Sequence, residues 1–265
     1  MTGLDFPNIS PIMFSLGPVA IRWYSMAYLI GIIFGWLMIN RNVEKNKLGL
    51  QKAQVEDFMF YLTLGIVIGG RLGYAVFYGG REMWLEPWHL LEIWKGGMSF
   101  HGGAAGVIAA TWLYSRKINY SFLRLTDLVV LYAPIGIFLG RLANFANDEL
   151  WGRAASVPWA VKFPSGGYVP RHPSQLYEAF FEGLLMFIIL NWLWQYKRVR
   201  EARGLVSALF IICYGCFRIA LEQFREPDAQ LGYFFGSITM GQMLSVPLII
   251  IGLFVVWKVL KKPAV

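Results

Sequence analysis

Apolar residues along the chain gather into seven long stretches with short polar punctuation between them: 18–39, 58–78, 98–114, 125–146, 176–196, 205–224 and 238–257. Each is close to the roughly 20 apolar residues that a helix needs to cross the ~30 Å hydrocarbon core of a bilayer. The pattern predicts an all-α protein, a polytopic membrane helix bundle of seven transmembrane helices, with 1–265 forming a single integral membrane domain. Two connections are longer than the rest. The first, 79–97, sets Trp84, Trp88 and Trp94 among Glu and Lys, which suits an amphipathic interfacial segment. The second, 148–174, carries Pro158, Pro164, Gly166, Gly167, Pro170 and Pro173 and reads as a turn-rich cap loop.

Composition supports this reading: 57% of residues are hydrophobic, only 15% are charged, and the mean hydropathy is +0.49, values that exclude an ordinary soluble domain. The basic residues then orient the bundle, because Lys and Arg are retained on the cytoplasmic side of short loops. Arg41, Lys45, Lys47 and Lys52, then Arg116, Lys117 and Arg124, then Lys197, Arg198, Arg200 and Arg203, and last Lys258, Lys261 and Lys262 all fall on one side. That side is assigned to the cytoplasm, with the N-terminus outside, the C-terminus cytoplasmic, and the 79–97 and 148–174 segments on the outer face. The net charge of +8 is spread over these loops and ends, so anionic lipid is the expected partner and nucleic acid is not. The first seventeen residues lack a basic start followed by an apolar core, so no cleavable signal peptide is expected.

Cys213 and Cys216 form a C-x-x-C inside the sixth stretch with no His or Asp beside them, which favours packing over redox or metal chemistry. His89, His101 and His172 show no ligand spacing, so neither a metal nor another cofactor is expected.

The chemistry is concentrated where polar residues interrupt apolar helices. GRLANFANDELWG, 140–152, closes an apolar run yet carries Arg141, Asn144, Asn147, Asp148 and Glu149. An intramembrane charge costs at least about 2.5 kcal/mol on insertion scales and marks a substrate or ion site. Arg141 lies about 24 Å along a helix that starts near Leu125, in the outer half of the core. The same bookkeeping places Tyr24, Arg71, His101, Glu178, Glu182, Arg218 and Glu222 in that layer. Arg141 and Asn144 are spaced i, i+3, and Tyr214, Arg218, Glu222 and Arg225 share another helix face. Arg218 with Glu222 is also the spacing of an intrahelical ion pair. Arg141 has no acidic residue one turn away, so its countercharge is expected from outside the protein, and a phosphate suits a guanidinium fork.

The glycines around Arg71 and after His101 suit close helix packing. His101, in MSFHGG at a helix start, is able to accept a proton near neutral pH. In RHPSQLYE, 171–178, Pro173 breaks the preceding segment and Ser174 is placed to cap the next helix. A transporter or flippase for an anionic lipid is the main alternative, disfavoured by the absence of an internal repeat and by a polar layer lying off the midplane.

These strings, together with PVAIRWYSMAYL from Pro18, GGRLGYAVFY from Gly69 and the face leading into FREPDAQ, resemble the bacterial prolipoprotein diacylglyceryl transferase family over nearly the whole chain. The resemblance implies a seven-span, multi-pass enzyme of the bacterial cytoplasmic (inner) membrane with its active site toward the outer leaflet. It implies transfer of the diacylglyceryl group of phosphatidylglycerol to the thiol of the lipobox cysteine in a prolipoprotein signal peptide, forming a thioether and releasing glycerol phosphate. The family's critical positions fall on Tyr24, His101, Arg141, Asn144, Glu149, Gly152, Arg218 and Glu222, with Asn147 and Tyr214 beside them. Arg141 and Arg218 are expected to hold the phosphate, Asn144 and Asn147 to donate to the headgroup, and His101 to act as base, with Glu149 or Glu222 orienting it. Tyr24 would position the lipid, and Arg71 joins the lipid-binding set. Asp148 departs from the pattern, since glycine is expected there in many relatives.

Overall fold

Helices form where the apolar stretches lie, and their ends fall on the polar residues between. The computed structural model describes the chain except residues 1–2, 8, 18, 81, 93–95, 227–233, 235–237 and 262–265, so Trp94, Pro227 and Asp228 lie outside the described residues. In chain order the elements are β1 (Leu4–Asp5), β2 (Ile12–Leu16), β3 (Val19–Arg22), α1 (Trp23–Lys45), α2 (Lys52–Phe77), α3 (Glu82–Leu85) and a 3-10 turn (Pro87–Leu91). There follow α4 (Phe100–Lys117), α5 (Phe122–Ala146), β4 (Val161–Lys162) and β5 (Pro170–Arg171). A helix built from α6 (Ser174–Glu178), a π-helical segment (Ala179–Leu185) and α7 (Met186–Trp194) comes next, then α8 (Lys197–Glu201), α9 (Leu205–Leu221) and α10 (Met240–Leu260).

Among the described residues, five helices are long and apolar enough to cross a membrane: Trp23–Lys45, Lys52–Phe77, Phe122–Ala146, Ser174–Trp194 and Met240–Leu260. Leu205–Leu221 is apolar but shorter. Phe100–Lys117 is diluted by Gly102, Gly103 and Gly106 and closed by Arg116 and Lys117. Large side chains on α10 stay uncovered by protein, Ile250 at 61% and Phe254 at 56% exposure, as suits a surface solvated by lipid tails. The architecture is that of a polytopic helical membrane protein.

The first stretch begins as a hairpin, not a helix. β2 and β3 pair antiparallel around Gly17, whose φ of +59° glycine adopts without strain, and helix α1 starts only at Trp23. The β-branched Val19 and Ile21 favour the strand, and the Trp23 indole donates to the Ser10 carbonyl at 2.8 Å.

Contacts divide the chain into two compact units, Met1–Gly35 with Val129–Val265, and Trp36–Leu128. In the second, α2 and α4 pack backbone to backbone. A Cβ on Gly73 would lie 2.6 Å from the Gly102 Cα, and one on Gly65 would lie 2.8 Å from the Ala110 Cβ. Glycines four apart on both helices allow this approach, the small-residue packing that membrane helices use. Phe58, Leu62 and Tyr114 fill the core beside it, with the Tyr114 hydroxyl donating to the Gln54 carbonyl at 2.7 Å.

In the first unit, Leu131, Met186, Leu190 and Val206 are fully buried, and Gly183 lets the π-helical segment close on Phe138 of α5. The 148–174 excursion is a small cap: β4 pairs parallel with β1 and antiparallel with β5, over a cluster of Phe6, Phe145 and Phe163. Ser174 does not cap α6 as its position suggests. Pro173 occupies that place, and the Ser174 hydroxyl donates to the Leu150 carbonyl at 3.1 Å, tying the cap to the helix.

Candidate functional site

Three arginines and three glutamates from the first unit meet among its helices. Arg141, near the end of α5, lies 2.9 Å from Glu178 and 3.3 Å from Glu182. Arg218, late in α9, lies 2.9 Å from the other oxygen of Glu178, 2.9 Å from Glu222 and 3.9 Å from Glu182. Arg225 reaches Glu178 at 3.6 Å. Glu178 and Glu182 are wholly buried, and Glu222 nearly so. Removing such charges from water costs several kcal/mol per ion, so each carboxylate has to be matched by a guanidinium.

The helix beginning at Ser174 presents both glutamates to the interior because they are four residues apart and so share one face; Glu182 lies within the π-helical segment Ala179–Leu185. Tyr214 lies one turn before Arg218 on α9, within electrostatic range of Arg141, Glu182 and Arg218.

The expectation that Arg141 lacks a protein countercharge is therefore corrected. Its partners come from another helix, and the i±3 and i±4 positions of α5 do not reveal them. Glu178 and Glu182 are the functional residues that spacing within one helix missed; their placement in the same depth layer as Arg141 was the available signal. The intrahelical pair of Arg218 with Glu222 is present, and a Cβ on Gly241 at the start of α10 would sit 3.0 Å from the Glu222 carboxylate.

One turn beyond Arg141, on the same helix, Asn144 opens a second group. Its amide donates to the Tyr24 hydroxyl and, at 3.1 Å, to Glu149, and the Asn147 amide also donates to Glu149 at 3.3 Å. Glu149 returns to α5 because the chain reverses sharply after Ala146: Asp148 and Leu150 both take φ of +56°, and the Glu149 N–H donates to the Asn144 carbonyl at 3.1 Å. Glycine adopts that conformation without strain, and Asp is among the few other residues that tolerate it. Asp148 adds a lock, accepting the Ser165 N–H on its carboxylate at 2.7 Å.

Gly152 sits where three segments cross. Its N–H donates to the His172 carbonyl at 2.9 Å, it bridges to Arg225, and a Cβ would strike the carbonyls of Phe224 and His172. The crossing ties the turn after α5 to the end of α9, near both arginine-bearing helix ends. Beside it, burial lowers the His172 imidazole below its ordinary range, and its Nδ1 lies 3.2 Å from the Tyr177 hydroxyl.

Arg71 and His101 belong to the second unit. The Arg71 guanidinium is spent on backbone: it donates to the carbonyls of Leu90, Gly96, Gly97, His89 and Glu92, holding residues 89–92 and 96–97. This use competes with the lipid-binding role expected of it. His101 stands exposed in the first turn of α4, whose start is capped by Ser99 accepting from the Gly102 N–H at 3.3 Å. Among the described residues, no group of three His, Cys, Asp or Glu side chains is arranged to hold a metal ion.

Residues 11–258 match the family model described as prolipoprotein diacylglyceryl transferase. Similar curated proteins include the phosphatidylglycerol–prolipoprotein diacylglyceryl transferases of Rickettsia felis, 48% identical over 96% of this chain and 98% of its own, and of Vibrio campbellii, 50% identical over 96% and 92%. That of Rickettsia akari is 49% identical over 96% of this chain and 98% of its own. The chain belongs to the prolipoprotein diacylglyceryl transferase family.

Proposed function

We propose that this protein transfers the diacylglyceryl group of phosphatidylglycerol to the thiol of the lipobox cysteine of prolipoproteins. The carbon–oxygen bond between the diacylglyceryl group and the phosphate breaks, a carbon–sulfur bond forms, and glycerol phosphate leaves carrying the negative charge. The thiol proton goes to a base. The names of the relatives support the reaction, and the site supports its electrostatics.

The observation that carries this reading is the convergence of Arg141 and Arg218, from two helices, on one anionic group: each stands 2.9 Å from Glu178. Two guanidiniums aimed at one point suit a phosphate whose charge grows as the bond breaks. Asn144 and Asn147, already donating to a carboxylate, present the amide hydrogens that a headgroup accepts. Tyr24 positions the lipid beside Asn144, with Tyr214 within electrostatic range of the arginines and Gly152 holding the backbone crossing. His101 keeps the role of base that its motif gives it, with Glu149 or Glu222 orienting or substituting. Arg71 contributes by fixing residues 89–92 and 96–97. The substrate supplies the nucleophile, so Cys213 and Cys216 are not required.

The hydropathy pattern supports seven spans, the distribution of Lys and Arg supports an N-terminus outside and a site open to the outer leaflet, and the family supports the bacterial inner membrane. The test is direct: purified protein is incubated with phosphatidylglycerol and a lipobox peptide, and the peptide is weighed by mass spectrometry. A mass gain of one diacylglyceryl group is expected, abolished in Arg141→Ala. No gain with wild-type protein, or unchanged gain in Arg141→Ala and His101→Ala, overturns the proposal.

A further inference from the structure

The two buried glutamates hold the arginines unequally. Glu178 commits both oxygens at 2.9 Å, one to Arg141 and one to Arg218, and Arg225 approaches the second at 3.6 Å. Glu182 is held at longer range, 3.3 Å from Arg141, which donates to its Oε2, and 3.9 Å from Arg218; its Oε1, like the Glu178 Oε2, accepts no hydrogen bond although it is buried. It is carried by the π-helical segment, a departure from α-helix that frequently marks functional sites.

Building on the transferase reading, we infer that Glu178 is the fixed strut that spaces Arg141 and Arg218, whereas Glu182 is a displaceable counter-ion that yields Arg141 to the phosphodiester of the incoming lipid. Both are positioning residues. Among the described residues of this cluster, Arg141, Arg218 and Arg225 face Glu178, Glu182 and Glu222, and the arriving phosphodiester adds one negative charge to it. The cheapest way to admit it is to move the carboxylate with the poorest contacts. Glu182 has a place to go, because its Oε1 already lies 3.9 Å from Arg218. Glu178 has none: moving it would strip Arg141 and Arg218 of their shared anchor and leave a fully buried carboxylate without a partner.

This division separates the two residues in kinetics. Glu182→Gln keeps the volume and removes the competing negative charge, so the KM for phosphatidylglycerol falls by about fivefold. Glu178→Gln loosens the arginines, so kcat falls at least about tenfold with no fall in KM. A residue needed only for folding would not tighten substrate binding when neutralised.

The full-length enzyme, in nanodiscs of graded phosphatidylglycerol content, is assayed for thioether formation on a lipobox peptide. A lowered KM in Glu182→Gln supports the inference; an unchanged or raised KM overturns it, as does a lowered KM in Glu178→Gln. Should Glu182→Gln fail to fold, a structure of the wild-type protein with phosphatidylglycerol decides. Arg141 parted from Glu182 while still paired with Glu178 supports the inference, and Arg141 still on Glu182 with lipid in place overturns it. Wild-type protein that adds nothing to the peptide fails the transferase reading instead, and the lipid-bound structure then still decides between strut and counter-ion.

Discussion

Arg141 and Arg218 approach different oxygens of the Glu178 carboxylate, each at 2.9 Å. A carboxylate and a phosphate both offer charged oxygens that guanidinium nitrogens match. Under the proposed function, Glu178 sets the spacing at which the two arginines meet the lipid phosphate.

Replacing either arginine has two separable consequences. Arg141→Ala leaves Glu178 and Glu182 short of a partner and Arg218→Ala leaves Glu178 and Glu222 short, so each variant loses about 3–5 kcal/mol of stability, read by thermal unfolding in detergent. Transfer falls further, by at least about 100-fold in kcat/KM, because the developing phosphate charge loses a donor. Arg141→Lys retains the charge and restores stability more than rate, since a lysine offers no fork. Equal rescue of both would count against phosphate recognition by Arg141.

Asn144 donates to both Tyr24 and Glu149, so its amide is the hinge of the second group. Asn144→Asp sets a carboxylate against the Glu149 carboxylate and removes the donor. Its activity is expected to drop by at least about 30-fold, more than in Glu149→Gln, which keeps an acceptor for both amides. Initial rates of the two variants at equal protein and lipid concentrations check the order.

Much of this site is legible one helix at a time. The i, i+4 spacing of Arg218 with Glu222 is that of an ion pair, and the pair is present; the i, i+3 spacing of Arg141 with Asn144 leads along one helix from the first group to the second. What crosses between helices is not legible in this way. Glu178 and Glu182 meet Arg141 through the rotation of two packed helices, which no hydropathy window records. Arg71 likewise reads as a charge in lipid, whereas its partners are backbone carbonyls and leave no trace in side-chain pattern. The β2–β3 hairpin was hidden for another reason: Val19 and Ile21 are as apolar as a span, and only Gly17 hints at the turn.

Neighbouring glycines in the HGG motif differ sharply. A Cβ on Gly102 would meet the Gly73 Cα at 2.8 Å, but one on Gly103 meets nothing closer than the Ile66 carbonyl at 3.8 Å. Gly102→Ala is therefore expected to force α2 and α4 apart and cost about 1–3 kcal/mol, while Gly103→Ala is neutral or slightly stabilising through its better helix propensity. Melting temperatures of the two variants in the same detergent provide the comparison, and a tolerated Gly102→Ala would refute the close packing of these helices.

The two histidines outside the spans respond to pH with opposite sign. His89 is held by Glu92 at 2.5 Å and Glu86 at 2.8 Å; the hydrogen bond to Glu92 is the main cause that lifts its imidazole above the usual value of 6.5. Its folded form favours the proton, so the stabilisation it lends is fully present below about 6.5 and is lost as pH rises through the raised value. Burial lowers His172, so the folded cap favours the neutral ring, and acidification below about 6.5 weakens the cap until the lowered value is passed. Hydrogen exchange resolved by segment reads both at once. Between pH 6 and pH 8, peptides over 86–92 are expected to exchange faster than the intrinsic pH dependence as the pH rises, and peptides over 152–172 faster as it falls. His89→Gln removes the first trend and leaves the second, whereas a shared trend in both segments would show that neither imidazole controls its own.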